Sequence, residues 1–293
     1  MTLATAAGLI DSLTLTLNNP ANPTGGIPTT GVVIGGSGLA MNGTTPGQVE
    51  TLNIVSAGSI TTTYNSVTLA SSGSSPYITP NIINVSGSQG LTLNTGVLAH
   101  SLTVNGSGTG GLVFNSLLGG AQPISVSGTG VNDTISVGGA GQTASILGGV
   151  GYDLITITAG MGAVNVVYNA ANQSTLDLVG TPGASGASTP NVGTMDLVQG
   201  FRTATDKIGL SSVGVIADKA SFGSAAAVTA ALSLPTFYQD GFSTLRKVAQ
   251  FDITFGATGT LLVTDVNNNG VYDASDMLIF LAGVANVVAT DIN

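Results

Sequence analysis

Three glycine-rich loops at ten-residue intervals decide how this chain is read: Gly128-Thr-Gly-Val-Asn-Asp133, Gly138-Gly-Ala-Gly-Gln-Thr143 and Gly148-Gly-Val-Gly-Tyr-Asp153. The third continues as Leu-Ile-Thr156 and completes the nine-residue pattern Gly-Gly-x-Gly-x-Asp-x-U-x at every fixed position. Glycines there free the turn to take left-handed backbone angles and aim carbonyls at an ion, Asp153 offers a hard carboxylate oxygen, and Ile155 plugs the core. The middle loop puts Thr143 where the aspartate belongs, and the first keeps Asp133 with degraded glycines. If half a turn of a coiled β-structure takes about ten residues, the Asp133 and Asp153 loops stack on one edge and Thr143 lies on the other. The expectation is one calcium ion held by Asp133, Asp153 and the backbone around Gly148, Gly149 and Gly151, with the Thr143 edge empty.

The same rhythm extends upstream. Short β-branched runs closed by glycine, serine or asparagine recur at Ser12 to Leu17, Thr51 to Val55, Asn81 to Val85, Ser101 to Val104 and Pro123 to Val126. Three end in nearly the same words, Asn84-Val-Ser-Gly87, Thr103-Val-Asn-Gly106 and Ser125-Val-Ser-Gly128, at spacings of 19 and 22 residues. A repeat near 20 residues suits one turn of a parallel β-solenoid, whose turns bury their aliphatic faces only by stacking. The competing reading of such short strands is an antiparallel sandwich.

Downstream, the Pro, Gly and Ser stretch at 181–193 reads as a linker and places a boundary near 185. Beyond it, Ser224 caps an expected short helix through Leu232, stopped by Pro235, and strands resume at Val248 to Phe255 and Thr260 to Thr264. The fold class expected is therefore all-β: solenoid repeats over 1–125, a calcium β-roll over 126–185, and a smaller β-rich module with one short helix over 186–293.

A second cation motif stands at Asp265-Val-Asn-Asn-Asn-Gly-Val-Tyr-Asp-Ala-Ser-Asp276, which fits the twelve-residue calcium loop. Its ligands are Asp265, Asn267, Asn269, the Val271 carbonyl, Asp273 and Asp276, with Gly270 at the sharp turn and aspartate in place of the usual closing glutamate. Asn-Gly alone would also make a hairpin turn, but a turn does not need oxygens at alternating positions around it.

Composition narrows the function. Charged residues are 6% of 293, glycine supplies 43 positions, and 43% of residues are apolar, enough for a large core solvated by Ser, Thr and Asn. The five basic residues all lie between Arg202 and Lys247, so the first 201 residues are purely acidic. A chain with a pI near 4.1 repels phosphates and anionic headgroups, which argues against nucleic-acid and membrane-surface partners and for cations. Without cysteine there are no disulfides or thiolate metal sites. The late apolar run from Leu278 to Ala289 is too short and interrupted to cross a bilayer. The start lacks a basic n-region and enters strand-like sequence by Leu13, so the expectation is one piece of a longer polypeptide.

His100 is the only histidine and Glu50 the only glutamate, and no Gly-x-Ser-x-Gly elbow supports a catalytic triad. The strongest enzyme rival is a sugar-processing solenoid with paired aspartates along a groove. Asp133, Asp153, Asp265, Asp273 and Asp276 instead fall in glycine- or asparagine-rich loops, and tryptophan platforms are absent.

With these residues in view, the chain resembles the RTX family, repeats-in-toxin proteins exported by type I secretion, and within it the caulobacter-type S-layer proteins. The likeness rests on the nonapeptide, on Val49-Glu-Thr-Leu-Asn-Ile54, Ile83-Asn-Val-Ser-Gly87 and Gly130-Val-Asn-Asp-Thr-Ile135, and on Met195-Asp-Leu-Val-Gln-Gly-Phe201 with Thr205-Asp-Lys-Ile-Gly-Leu-Ser211. The resemblance implies calcium-dependent folding outside the cell, an uncleaved C-terminal export signal and assembly with copies of itself into a cell-surface lattice. Cell-surface polysaccharide is a candidate partner. The rival readings are the enzyme above and the secretion tail or adhesin module of a larger exported protein.

Overall fold

The computed structural model describes residues 11–19, 32–34, 49–58, 64–69, 80–96, 101–119, 121–169, 195–210, 220–221, 248–254, 258–264, 266 and 276–293. They form two compact units, one of 1–146 with 158–162 and the other of 147–157 with 163–293. The boundary expected near 185 falls inside the second unit, and the linker at 181–193 and the helix expected after Ser224 lie outside the described residues.

The first unit is a parallel β-solenoid. Its strands are β1 (Asp11–Asn19), β2 (Val32–Ile34), β3 (Val49–Gly58), β4 (Asn65–Leu69), β5 (Ile82–Gly87), β6 (Leu91–Thr95), β7 (Leu102–Gly106), β8 (Leu112–Gly119), β9 (Ile124–Ser127), β10 (Thr134–Gly139) and β11 (Ala144–Leu147). Odd strands stack in the order β1-β3-β5-β7-β9-β11 and even strands as β2-β4-β6-β8-β10. From β1 to β9 in the odd stack and from β2 to β10 in the even stack, neighbouring strands pair in parallel, which excludes the antiparallel sandwich. Strand alternation explains why it closes: Ile54, Ile83, Val104 and Val126 point inward from the odd sheet and Val67, Leu93, Phe114 and Ile135 from the even sheet, all at most 1% exposed.

Register corrects one detail of the repeat. Thr103 pairs with Ser125 as the repeated words require, but Asn84 pairs with Asn105, 21 residues on, and not with Thr103 at 19. A shift of two residues keeps every aliphatic side chain facing inward, so core burial cannot choose between the registers. The outward asparagines distinguish them: Asn84 Nδ2 donates to Asn53 Oδ1 at 2.9 Å, and Asn105 Nδ2 donates to Asn84 Oδ1 at 3.0 Å. On the even sheet Asn115 Nδ2 donates to Asn94 Oδ1 at 2.9 Å, and Asn94 Nδ2 to Thr68 Oγ1 at 3.5 Å.

The second unit contains β12 (Leu154–Ile157), β13 (Val164–Tyr168), β14 (Asp196–Gln199), β15 (Lys207–Leu210), β16 (Ala220–Ser221), β17 (Val248–Thr254), β18 (Thr258–Thr264) and β19 (Met277–Ala282). Parallel pairs β12–β14 and β13–β15 continue the coil pattern, and β14 pairs in parallel with β19. Then the strand direction alternates, because β19–β18 and β18–β17 are antiparallel. Met277–Phe280 and Gly259–Thr264 are buried on both faces, as a continuous apolar run inside a sheet requires. The apolar run from Leu278 thus begins as a central strand, and no helix among the described residues is long and apolar enough to cross a membrane.

Candidate functional site

The turns that enter the strands carry buried aspartates, and their carboxylates share one geometry. Asp133 immediately precedes β10, is 3% exposed, and lies opposite Leu112 on the ladder to β8. Its Oδ1 accepts the Leu112 N–H at 2.5 Å and the Thr129 hydroxyl at 2.9 Å, while Oδ2 accepts the Thr129 N–H at 2.5 Å. Asp196 opens β14 opposite Asp153 on the ladder, and its Oδ1 accepts the Asp153 N–H at 2.9 Å. Asp206 precedes β15 opposite Val164, and its Oδ1 accepts the Val164 N–H at 2.9 Å. Each carboxylate therefore holds the backbone N–H of its own ladder partner one coil earlier, at the point where the chain leaves a turn and a buried donor would otherwise lack a strand partner.

Local contacts secure the series. Asp206 Oδ2 also accepts the Arg202 N–H at 2.8 Å and Nε at 3.0 Å, with Nη2 at 2.7 Å from Oδ1. Asp291 holds the same turn from the far end of the chain, accepting the Ala204 N–H at 2.7 Å and the Val288 N–H at 3.1 Å. That contact fixes Ala204 at φ 63°, the left-handed region. Tyr168 lies fully buried beside this series: burial first, then the charge of Asp196 and its hydrogen bond, then Asp153, hold its phenol well above the usual tyrosine pKa.

The nonapeptide loop adopts the backbone its glycines permit, with Gly149 at φ 115° and Gly151 at φ 125°. Gly148 has a different reason, since a Cβ there would collide with the Asp153 carboxylate. At Asp133 the N–H groups of Leu112 and Thr129 and the Thr129 hydroxyl occupy part of the carboxylate's acceptor capacity. Among the described residues no cluster of three or more aspartates, glutamates or histidines could hold a metal. Asp265, Asn267, Asn269, Val271 and Asp273 lie outside the described residues, as does His100. Asp276 is 1% exposed, and its Oδ1 accepts the Val266 N–H at 3.1 Å, drawing the two ends of that loop together.

Sequence reasoning singled out Asp133 and Asp153 but passed over Asp196 and Asp206 as capping groups. The signal was present: Asp133-Thr-Ile, Asp153-Leu-Ile, Asp196-Leu-Val and Asp206-Lys-Ile share one phrase, an aspartate, an outward residue and an inward aliphatic.

Elsewhere a shallow groove of about 310 Å³ crosses the starts of β7, β9 and β11. Hydroxyls of Ser101, Thr103, Ser125, Thr143 and Ser145 line it, and it contains no ionisable side chain.

The fold and its turns define an all-β parallel solenoid with aspartate-capped strand entries. No protein-family model and no curated protein matches this chain.

Burial outweighs the three donors at Asp133 and pushes its pKa from 3.8 up to about 6. The folded state then holds this proton more tightly than the unfolded chain. Its stabilising contribution is complete below pH 4 and is lost as pH rises through 6, by about 3 kcal/mol at most. Urea unfolding in chelator between pH 4 and 7 is expected to show stability falling over that window, and the slope should vanish in Asp133→Asn.

Proposed function

We propose that this chain is a structural subunit of a calcium-dependent extracellular array, in which copies associate through uncharged solenoid faces. The observation that carries the reading is the pair of amide ladders, Asn53–Asn84–Asn105 and Thr68–Asn94–Asn115, one on the outer face of each sheet. These amide rows carry no charge that would hold copies apart. Calcium enters at the 265–276 loop, whose sequence supplies oxygens at alternating positions and whose closing residue Asp276 draws back to Val266. When bound there, the ion would tie the loop's carboxylates together and cancel their repulsion. The resemblance of the nonapeptide and the segments after it to exported calcium-dependent proteins supports an array outside the cell.

Two measurements test this. Light scattering and negative-stain imaging in millimolar calcium are expected to show ordered sheets or filaments that chelator disperses; a monomer persisting in calcium at high protein concentration overturns the array. Calcium at a thousandfold above its Kd is expected to add about 4 kcal/mol of stability. Asp276→Asn together with Asp273→Asn should abolish that gain, and equal melting temperatures in calcium and chelator would remove the metal from the proposal.

A further inference from the structure

We draw no further inference here: the strongest candidate, the shallow hydroxyl-lined groove across the starts of β7, β9 and β11, is flanked by residues 97–100 and 120, which lie outside the described residues, so nothing in the structure shows what covers it.

Discussion

Alanine at Gly87 is expected to destabilise the chain by about 4 kcal/mol, whereas alanine at Gly160 should cost only about 1 kcal/mol. Both glycines have positive φ, 112° and 87°, so both substitutions strain the backbone. They differ in what surrounds them. A Cβ on Gly87 would run into the Ser56 backbone, while nothing lies within 4 Å of the same position on Gly160. Ser56 cannot yield easily, because it is fully buried and anchors a turn cluster. Its carbonyl accepts the Gln89 N–H at 3.1 Å, its hydroxyl donates to the Gly90 carbonyl at 3.2 Å, and the Asn65 amide donates to that hydroxyl at 2.9 Å. Close approach of β5 to β3 at their ends is what forces glycine at 87. Denaturant midpoints of the two variants, measured side by side, check the difference; equal losses would mean that backbone conformation, and not stacking distance, sets the requirement.

Removal of the Asp206 carboxylate is the second large effect. Asp206→Ala is expected to cost about 4 kcal/mol and to lower the melting temperature by about 10 °C. The loss comes from two backbone N–H groups, those of Val164 and Arg202, left without their acceptor. The ion pair itself contributes little, since the Arg202 side chain is 31% exposed and its guanidinium can turn to water. Arg202→Ala should therefore cost no more than about 1 kcal/mol. Asp206→Asn should fall between, because its amide oxygen still accepts from Val164 but its NH₂ group meets the Arg202 N–H. Differential scanning calorimetry of the three variants orders them, and a loss in Arg202→Ala as large as that in Asp206→Ala would show that charge and not backbone capping holds the turn.

Much of the solenoid was legible in the sequence, for a physical reason. Strands with period-two alternation, such as Leu13 to Leu17 and Leu52 to Ile54, have only one way to hide their aliphatic side, and the glycine phrases between them mark the turns. Runs at 248 and 260 became β17 and β18, and the nonapeptide glycines at 149 and 151 took the positive φ expected of them. The capping role of the aspartates was harder to see. A glycine-flanked aspartate looks the same in sequence whether acceptor oxygens around an ion or backbone N–H donors surround it. At Asp133 the donors come from Leu112, 21 residues earlier, and from Thr129.

What the sequence determined by itself is a chain of short strands whose repeat near 20 residues favours a coil: alternation chooses which side chains face inward and glycine chooses where the chain turns, while the parallel pairings of the tertiary structure decided between coil and sandwich. Only the tertiary structure decided which residues lie over one another. The choice of 21 over 19 residues between β5 and β7 leaves the core pattern untouched, and it is seen in the Asn84–Asn105 amide bond. The tertiary structure likewise set Asp153 next to Asp196 across 43 residues and Asp206 next to Val164 across 42. Inward and outward are local properties of a strand, whereas register is a relation between strands distant in sequence, and no period along one of them can specify it.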